Sequence, residues 1–420
     1  IPGIVDIHTH VSAWLGGKYG HKMLARAGVT SALDMSGPME SVLDIVRDYG
    51  VGLNMACIEY IRPGHTVKTN NPNIGELRTL IDKALSQGAL GIKILGGHYP
   101  LTPEATASAI KTANDKKAYV AFHAGSLKNG SNIEGFLEAV ELVNGNCVHL
   151  AHINSYCRGR IEDPLTEAQK ALKVLKKHPN IRSEAYLSPL NGTSAKCSDG
   201  IPESLVTHDC LQTGGFAATE KGLEEAILAG WAQINAETGN GVILITGREG
   251  IDYWRSQETD TTVSFAVNPA VPRYCLTTAK KADGQFVVDC ISTDGGGIPR
   301  NVIIEMGLSL VKLQALTIEE FVLKASTNPA KILGLVNKGH LRISADADIT
   351  VFNFARQKPF MAIANGQIIM YNGYVCGCGG KIITTPIGAK TIEQQGLNAL
   401  VVDLPSSGLY KWHNKEDNGG

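Results

Sequence analysis

The chain has 420 residues, with 39 Lys and Arg against 40 Asp and Glu, a formal net charge of −1, so there is no electrostatic case for a nucleic-acid or acidic-membrane partner. No run of about 18 apolar residues appears, which gives no membrane-spanning helix. The nine cysteines are odd in number and scattered through a long chain, which fits a reducing, cytoplasmic setting better than a disulfide framework.

Short apolar, β-rich runs recur along the chain. Strands are expected at IVDIHTHV (4–11), TSALDMS (30–36), VGLNMACIEY (51–60), ALGIKILG (89–96), AYVAFHAG (118–125), CVHLAHIN (147–154), IRSEAYLS (181–188) and FVVDCIST (286–293). Amphipathic stretches such as NIGELRTLIDKALSQG lie between them and read as helices, this one stopping at a glycine. Near-continuous apolar strands alternating with helices imply a parallel sheet buried on both faces. Eight such units imply an α/β fold, a (β/α)₈ TIM barrel over residues 1–335.

About 100 residues (189–285) separate the seventh and eighth strands, too many for a structureless loop. EKGLEEAILAGWAQINAETG reads as a helix there, and GVILITGR and TTVSFAVN as strands, so the segment is expected to be an inserted lid near the catalytic face. From about residue 336 to 387, HLRISADADITVFNF, PFMAIANGQIIMYNGYVC and KIITTP alternate with turn signals, which predicts a small antiparallel β-sandwich-like unit. Residues 388–420 read as a C-terminal tail without a clear pattern, ending in KEDNGG.

In such a barrel the chemistry sits at the C-terminal ends of the strands. His8 and His10 fall near the end of the first strand, Lys93 in the fourth, His123 in the fifth, His152 in the sixth, and Asp294 just past the eighth. Residues two apart in a strand point to the same side, so His8 and His10 can both face the barrel axis. A lone His on an apolar strand is ordinarily a core or surface group, and HxH alone says little. The order of all six residues is what points to a metal site, since imidazole and carboxylate are normal ligands of Zn²⁺ and similar ions. Lys93 is anomalous there, because an unpaired buried ammonium costs several kcal/mol. Reaction of its neutral amine with CO₂ would turn it into an anionic carbamate able to bridge two metals.

PGIVDIHTHV, ARAGVTSALDMSG, GIKILGG, FHAG, LAHINS, ISTDGGG and ADADITVFN together resemble the amidohydrolase superfamily, and within it the hydantoinase/dihydropyrimidinase, dihydroorotase and allantoinase group. The resemblance covers about residues 1–375. It implies that His8, His10, Lys93 and Asp294 hold a more buried divalent ion, most simply Zn²⁺. Carboxylated Lys93, His123 and His152 would hold a second, with a hydroxide bridging the two. Asp294 would carry the proton from that hydroxide to the leaving nitrogen. The implied activity is hydrolysis of a cyclic or linear amide C–N bond in a small-molecule substrate.

Three departures stand out. N-acyl-D-amino acid deacylases of the superfamily carry a cysteine after the second strand; DMSGPMES has none, which favours the Lys93 arrangement. Gly295, Gly296 and Gly297 follow Asp294, where cyclic-amide hydrolases have His-Ala-Pro-like residues. The family also has β-sandwich strands before its opening motif, and this chain begins at Ile1. The closing β-unit therefore needs a cover. A separate N-terminal polypeptide is the expected one, with GLNALVVDL (396–404) folding back as the alternative. An exposed apolar face of that size also favours association into a homo-oligomer.

Groups placed to hold substrate are His98 and Tyr99 after the fourth strand, Tyr99 as an oxyanion donor. Arg158 and Arg160 after the sixth could pair with a carboxylate, and Ser188 and Asn191 after the seventh could bond an amide edge. Cys376 and Cys378 form a CxC, too few sulfurs for a closed zinc site. Two further activities compete within the superfamily: an N-acyl-amino-acid deacylase, and a deaminase, against which Lys93 argues. A non-catalytic dihydropyrimidinase-related assembly protein is the alternative of a different class.

Overall fold

The computed structural model describes residues 1–411. Eight parallel strands run in chain order: β1 Ile4–His10, β2 Val29–Asp34, β3 Val51–Cys57, β4 Gly91–Leu95, β5 Tyr119–His123, β6 Val148–Leu150, β7 Ile181–Tyr186 and β8 Cys290–Ser292. They are buried almost throughout, as continuous apolar runs covered on both faces require. Helices α1 Gly17–Arg26, α2 Met39–Tyr49, α3 Ile74–Gln87, α4 Pro103–Asp115, α5 Ile133–Val143 and α6 Pro164–Leu175 alternate with the first seven. Asn73 and Glu76 form a capping box at the start of α3, and Gly88 ends it at φ 105. The fold is TIM-barrel-like. Its hydrogen bonding does not run as one closed ladder but as two six-stranded sheets. They share the third strand's chain: Val51–Cys57 pairs with β2, while Glu59–Ile61, beyond a break at Ile58, pairs with β4. They meet again where the chain leaving β8 pairs Gly295 and Gly296 with Thr9 and His10.

The 189–285 segment is an antiparallel unit with its own core around Trp254, Phe265 and Ile227. The helix expected over EKGLEEAILAGWAQINAETG stops at Leu228. Gly230 follows at φ 78, and Ala232–Thr238 forms a hairpin with Gly241–Ile245 instead. The ETGNG turn and the pairing partners override the helical periodicity of the first half. Asn191–Ser194, directly after β7, closes this sheet and ties it to the barrel mouth.

The closing unit is also antiparallel: β9 Ile349–Asn353, β10 Lys358–Ala364, β11 Gln367–Tyr371 and β12 Tyr374–Val375. Ala362, Ala364, Ile369 and Met370 on its inner face pack in one core with Leu24 and Ala25 of α1 and Leu53 of β3. KIITTP does not belong to it. Gly379–Thr384, as β13, enters the barrel sheet beside β3, and its Ile382 and Ile383 are fully buried there. Helix α7, Pro386–Gln394, then returns the chain for β14, Asn398–Val401, to pair parallel with β13. The expected patternless tail is thus a crossover unit. GLNALVVDL extends the barrel sheet and does not cover the closing unit. Residues 412–420, which include KEDNGG, lie outside the described residues. No helix is long and apolar enough to cross a membrane among the described residues.

Barrel and closing unit are clamped by a buried charge cluster. Lys338 Nζ lies 2.8 Å from Asp348 Oδ2 and 2.9 Å from Asp346, and Asp348 also accepts from Asn54 Nδ2 and Asn365 N. Removing one partner of a buried pair leaves the other charge uncompensated. Asp348→Ala is expected to destabilise the protein by about 3–5 kcal/mol, read as a drop in denaturant midpoint.

Candidate metal centre

The metal-site residues expected from the sequence converge at one mouth. His8 and His10 end β1, with His8 buried and His10 partly open. Lys93 rises from β4 and is 1% exposed. His123 ends β5. His152 and Asp294 lie just past β6 and β8, both in left-handed backbone, at φ 34 and φ 50. Such a conformation strains a residue with a Cβ by about 1 kcal/mol or more, and persists where surrounding structure imposes it. All six line a cavity of about 360 Å³ with His98, Tyr99, Arg158, Arg160 and Asn191. Ser188 does not line it. Its buried hydroxyl caps the local turn by accepting from Leu190 N.

His8, His10 and Asp294 bring three potential ligand atoms within 4.8 Å of one another. Asp294 Oδ1 lies 2.8 Å from His10 Nε2 and 3.3 Å from His8 Nε2. Lys93 Nζ is 3.4 Å from His8 Nε2, and its near contact on the other side is Met35 Sδ. The imidazoles continue as a chain: His152 stacks on His8 with centroids 5.2 Å apart, and His123 meets His152 at 4.4 Å.

Glu184 of β7 is not among the residues expected from the sequence. Its Oε1 accepts from His8 Nδ1 at 2.7 Å and from His152 N at 2.6 Å. A histidine that donates from Nδ1 carries its lone pair on Nε2. Burial, then the field of Lys93, holds His8 well below the usual histidine range and keeps the ring neutral. His8 therefore presents a lone pair on Nε2, 3.4 Å from Lys93 Nζ and 3.3 Å from the Asp294 carboxylate, where a bound cation would be shared by imidazole and carboxylate. His123 is also held at one ring nitrogen, here by a hydroxyl that can donate or accept. Its Nε2 is engaged by Ser131 Oγ at 2.8 Å, leaving Nδ1 as the nitrogen able to bind an ion. His10 Nδ1 and His152 Nδ1 are buried without a hydrogen-bond partner among the described residues. The donor set thus fits a divalent metal. Glu184 stands in IRSEAY directly after Arg182 and Ser183, so no break in an apolar run marks it in the sequence. Glu184→Gln is expected to weaken metal affinity by about 10- to 100-fold, measured by competition with a chromogenic chelator.

Burial pushes Lys93 down to about 8, against the opposing fields of Asp294 and Glu184. Burial alone would raise the Asp294 carboxyl. The Arg300 guanidinium, 2.7 Å from its Oδ2, together with His8 and His10, outweighs burial and holds it well below the usual range. His98 is pushed down to about 4, mainly by burial.

The amidohydrolase family's sequence pattern matches residues 1–160 and 276–382, more than half of the chain. The chain belongs to the amidohydrolase family. The unmatched stretch 161–275 contains the antiparallel strands of the insertion. A dihydroorotase of Syntrophus aciditrophicus is 30% identical over 154 residues, covering 36% of this chain and about a third (34%) of that protein's length. One component of the formyltransferase/hydrolase complex Fhc of Methylorubrum extorquens is 22% identical over 469 aligned positions, covering 94% of this chain and 78% of that one. Among solved structures, a D-aminoacylase with a binuclear metal centre superposes with TM-score 0.61 at 16% identity, covering 91% of this chain and 88% of its own. Dihydropyrimidinase from Brevibacillus agri gives TM-score 0.56 at 14% identity, covering 91% and 87%. At such identities these structures establish the shared fold.

Proposed function

We propose that the protein is a metal-dependent amidohydrolase that cleaves an amide C–N bond. The observation that carries this reading is the lone pair of His8 Nε2, fixed by Glu184 and set 3.3 Å from the Asp294 carboxylate, in a mouth lined by four further histidines and Lys93. His8, His10, Asp294 and a carboxylated Lys93 would hold one divalent ion, and Lys93, His123 and His152 a second, with zinc the natural choice for these donors. Bound there, the ions would lower the pKa of a water and polarise the scissile carbonyl. Asp294 is placed to accept the water's proton and deliver it to the leaving nitrogen. Tyr99, with Arg62 stacked 4.3 Å over its ring, is offered as the oxyanion donor.

Outer-face partners on the closing unit are apolar: Ile349 faces Ile363, which faces Ile368, and Val351 faces Met361, which faces Tyr371. Ile368 and Tyr371 are about half exposed. This supports association through that face, with a second copy of the chain or with a separate strand-bearing segment. None of the nine cysteines is paired, which supports a reducing, cytoplasmic setting.

The deciding experiment counts metal on purified protein and screens hydantoins, dihydropyrimidines, lactams and N-acyl amino acids with zinc-replete material. About two ions per chain are expected, with hydrolysis lost to a chelator and restored by zinc. Ammonia as the product would turn the reading toward a deaminase. Protein that binds no metal would be the assembly protein instead.

A further inference from the structure

Arg158 lines the cavity and, among the described residues, pairs with no carboxylate. Its Nε donates to Asn268 Oδ1 at 2.8 Å, and one terminal nitrogen donates to Asn191 Oδ1 at 2.8 Å and to the Tyr186 hydroxyl at 3.2 Å. All three acceptors are neutral. Apart from Lys93, in the metal centre, the other cations that line this cavity are balanced differently. Arg300 pairs with Asp294, Arg160 with Asp209 and Lys196 with Asp260. Arg62 is spread over the Tyr99 ring. Arg158 is half-buried, and its remaining terminal nitrogen makes no hydrogen bond among the described residues. A desolvated guanidinium held only by neutral oxygens is costly without a counter-ion. Here two asparagines, both from the inserted unit, fix its plane.

The position matches one end of an amide substrate. Tyr186 separates Arg158 from the metal centre: its hydroxyl takes the Arg158 bond, Arg300 lies 5.1 Å from its ring centroid, and His152 lies 6.3 Å from it. The planar fork of a guanidinium matches a carboxylate. We propose that Arg158 receives the carboxylate of the substrate, so that the amide cleaved belongs to a molecule with a free acid, as in N-acyl amino acids or carboxylated cyclic amides. This rests on the hydrolase reading for the bond cleaved, but not for the anion bound.

The test is calorimetric binding to zinc-loaded protein of matched pairs: N-acetylglycine with N-acetylglycinamide, N-acetylalanine with its amide, and dihydroorotate with dihydrouracil. At least one acid is expected to bind about 10- to 100-fold tighter than its neutral partner. Arg158→Met should erase that preference and Arg158→Lys should keep part of it, with circular dichroism and metal content checking the fold. A second variant avoids truncating a half-buried side chain. Asn191→Asp is nearly isosteric and puts a carboxylate where an amide oxygen already meets Arg158, so it should fill the site from within and abolish the preference. Equal binding of acids and neutral partners would overturn the proposal, as would a preference that survives in both Arg158→Met and Asn191→Asp. Inorganic phosphate binding more tightly than every acid would overturn the carboxylate assignment. Arg158-dependent binding of acids that are never hydrolysed would uphold this site and sink the hydrolase reading. Hydrolysis of neutral amides without acid preference would do the reverse.

Discussion

Lys93→Ala is expected to bind at most one metal ion per chain and to lose activity by about 10³-fold or more. The size follows from the several kcal/mol that ions contribute to a charged transition state, at tenfold per 1.4 kcal/mol. Lys93 is buried against Met35 Sδ and His8 Nε2, so a bare ammonium there would face a thioether, an imidazole and incoming cations. A carbamate would remove the repulsion from the cations by reversing the sign of the charge. Only the neutral amine reacts with CO₂. With Lys93 held to about 8 rather than its ordinary 10.5, about a tenth of the amine is neutral at pH 7 and about nine-tenths at pH 9. At fixed dissolved CO₂, reactivation of metal-free protein by zinc should therefore speed up as pH rises through 8. Short-chain acids should partly rescue Lys93→Ala by replacing the lost carboxylate. Full activity with two ions bound in that variant would eliminate the carbamate, and so would reactivation whose rate ignores pH and CO₂.

The imidazoles and the lysine that would touch an ion were legible in the sequence because each is a polar break at or just past the end of an apolar strand, whereas Asp294 follows Ser292 and Thr293 and was legible by its place after the eighth strand. His8, His10, Lys93 and His123 stand out against Ile, Val, Leu and Phe neighbours, and strand order alone brings them to one mouth. What orients them was harder to see. Ser131 follows β5 by eight residues and bonds His123 through a loop whose path no periodicity predicts. Arg300 lies in a proline-containing turn past three glycines, yet its guanidinium folds back onto Asp294. Both contacts depend on where loops travel, which is set by tertiary packing. The same limit explains the two fold-level corrections. In the insertion, Ala232–Thr238 has the composition of a helix and takes a strand because Thr262–Phe265 and Gly241–Ile245 offer it edges. KIITTP alternates like its antiparallel neighbours but leaves them, because β3 has an open side where it departs from the second sheet. In both cases a free edge elsewhere in the fold decided the outcome, and no local pattern records a free edge.

Asp294→Asn should keep the fold and at least one metal ion while lowering kcat by about 10²-fold or more, the usual worth of a positioned general base. Asparagine keeps an oxygen for coordination but has no basic lone pair to take the proton of the attacking water. Arg300 makes this residue unusual. The ion pair at 2.7 Å holds the carboxylate ionised far into acid, so the wild-type acid limb should lie below that of an ordinary aspartate. The base works only when deprotonated, so a lower pKa moves that limb to lower pH. Arg300→Met removes the largest opposing charge and leaves burial to act, so its acid limb should move to higher pH. Metal content must be followed alongside, because the same carboxylate is a ligand. Its loss at acid pH would mimic a protonated base, and the two are separated by whether added zinc restores the rate. Arg300 itself would lose a buried partner in Asp294→Asn, at a cost of about 3–5 kcal/mol, which bound zinc should partly offset. Near-wild-type turnover in Asp294→Asn would remove the proton-transfer role. An acid limb that does not respond to Arg300→Met would show that a group other than Asp294 controls it.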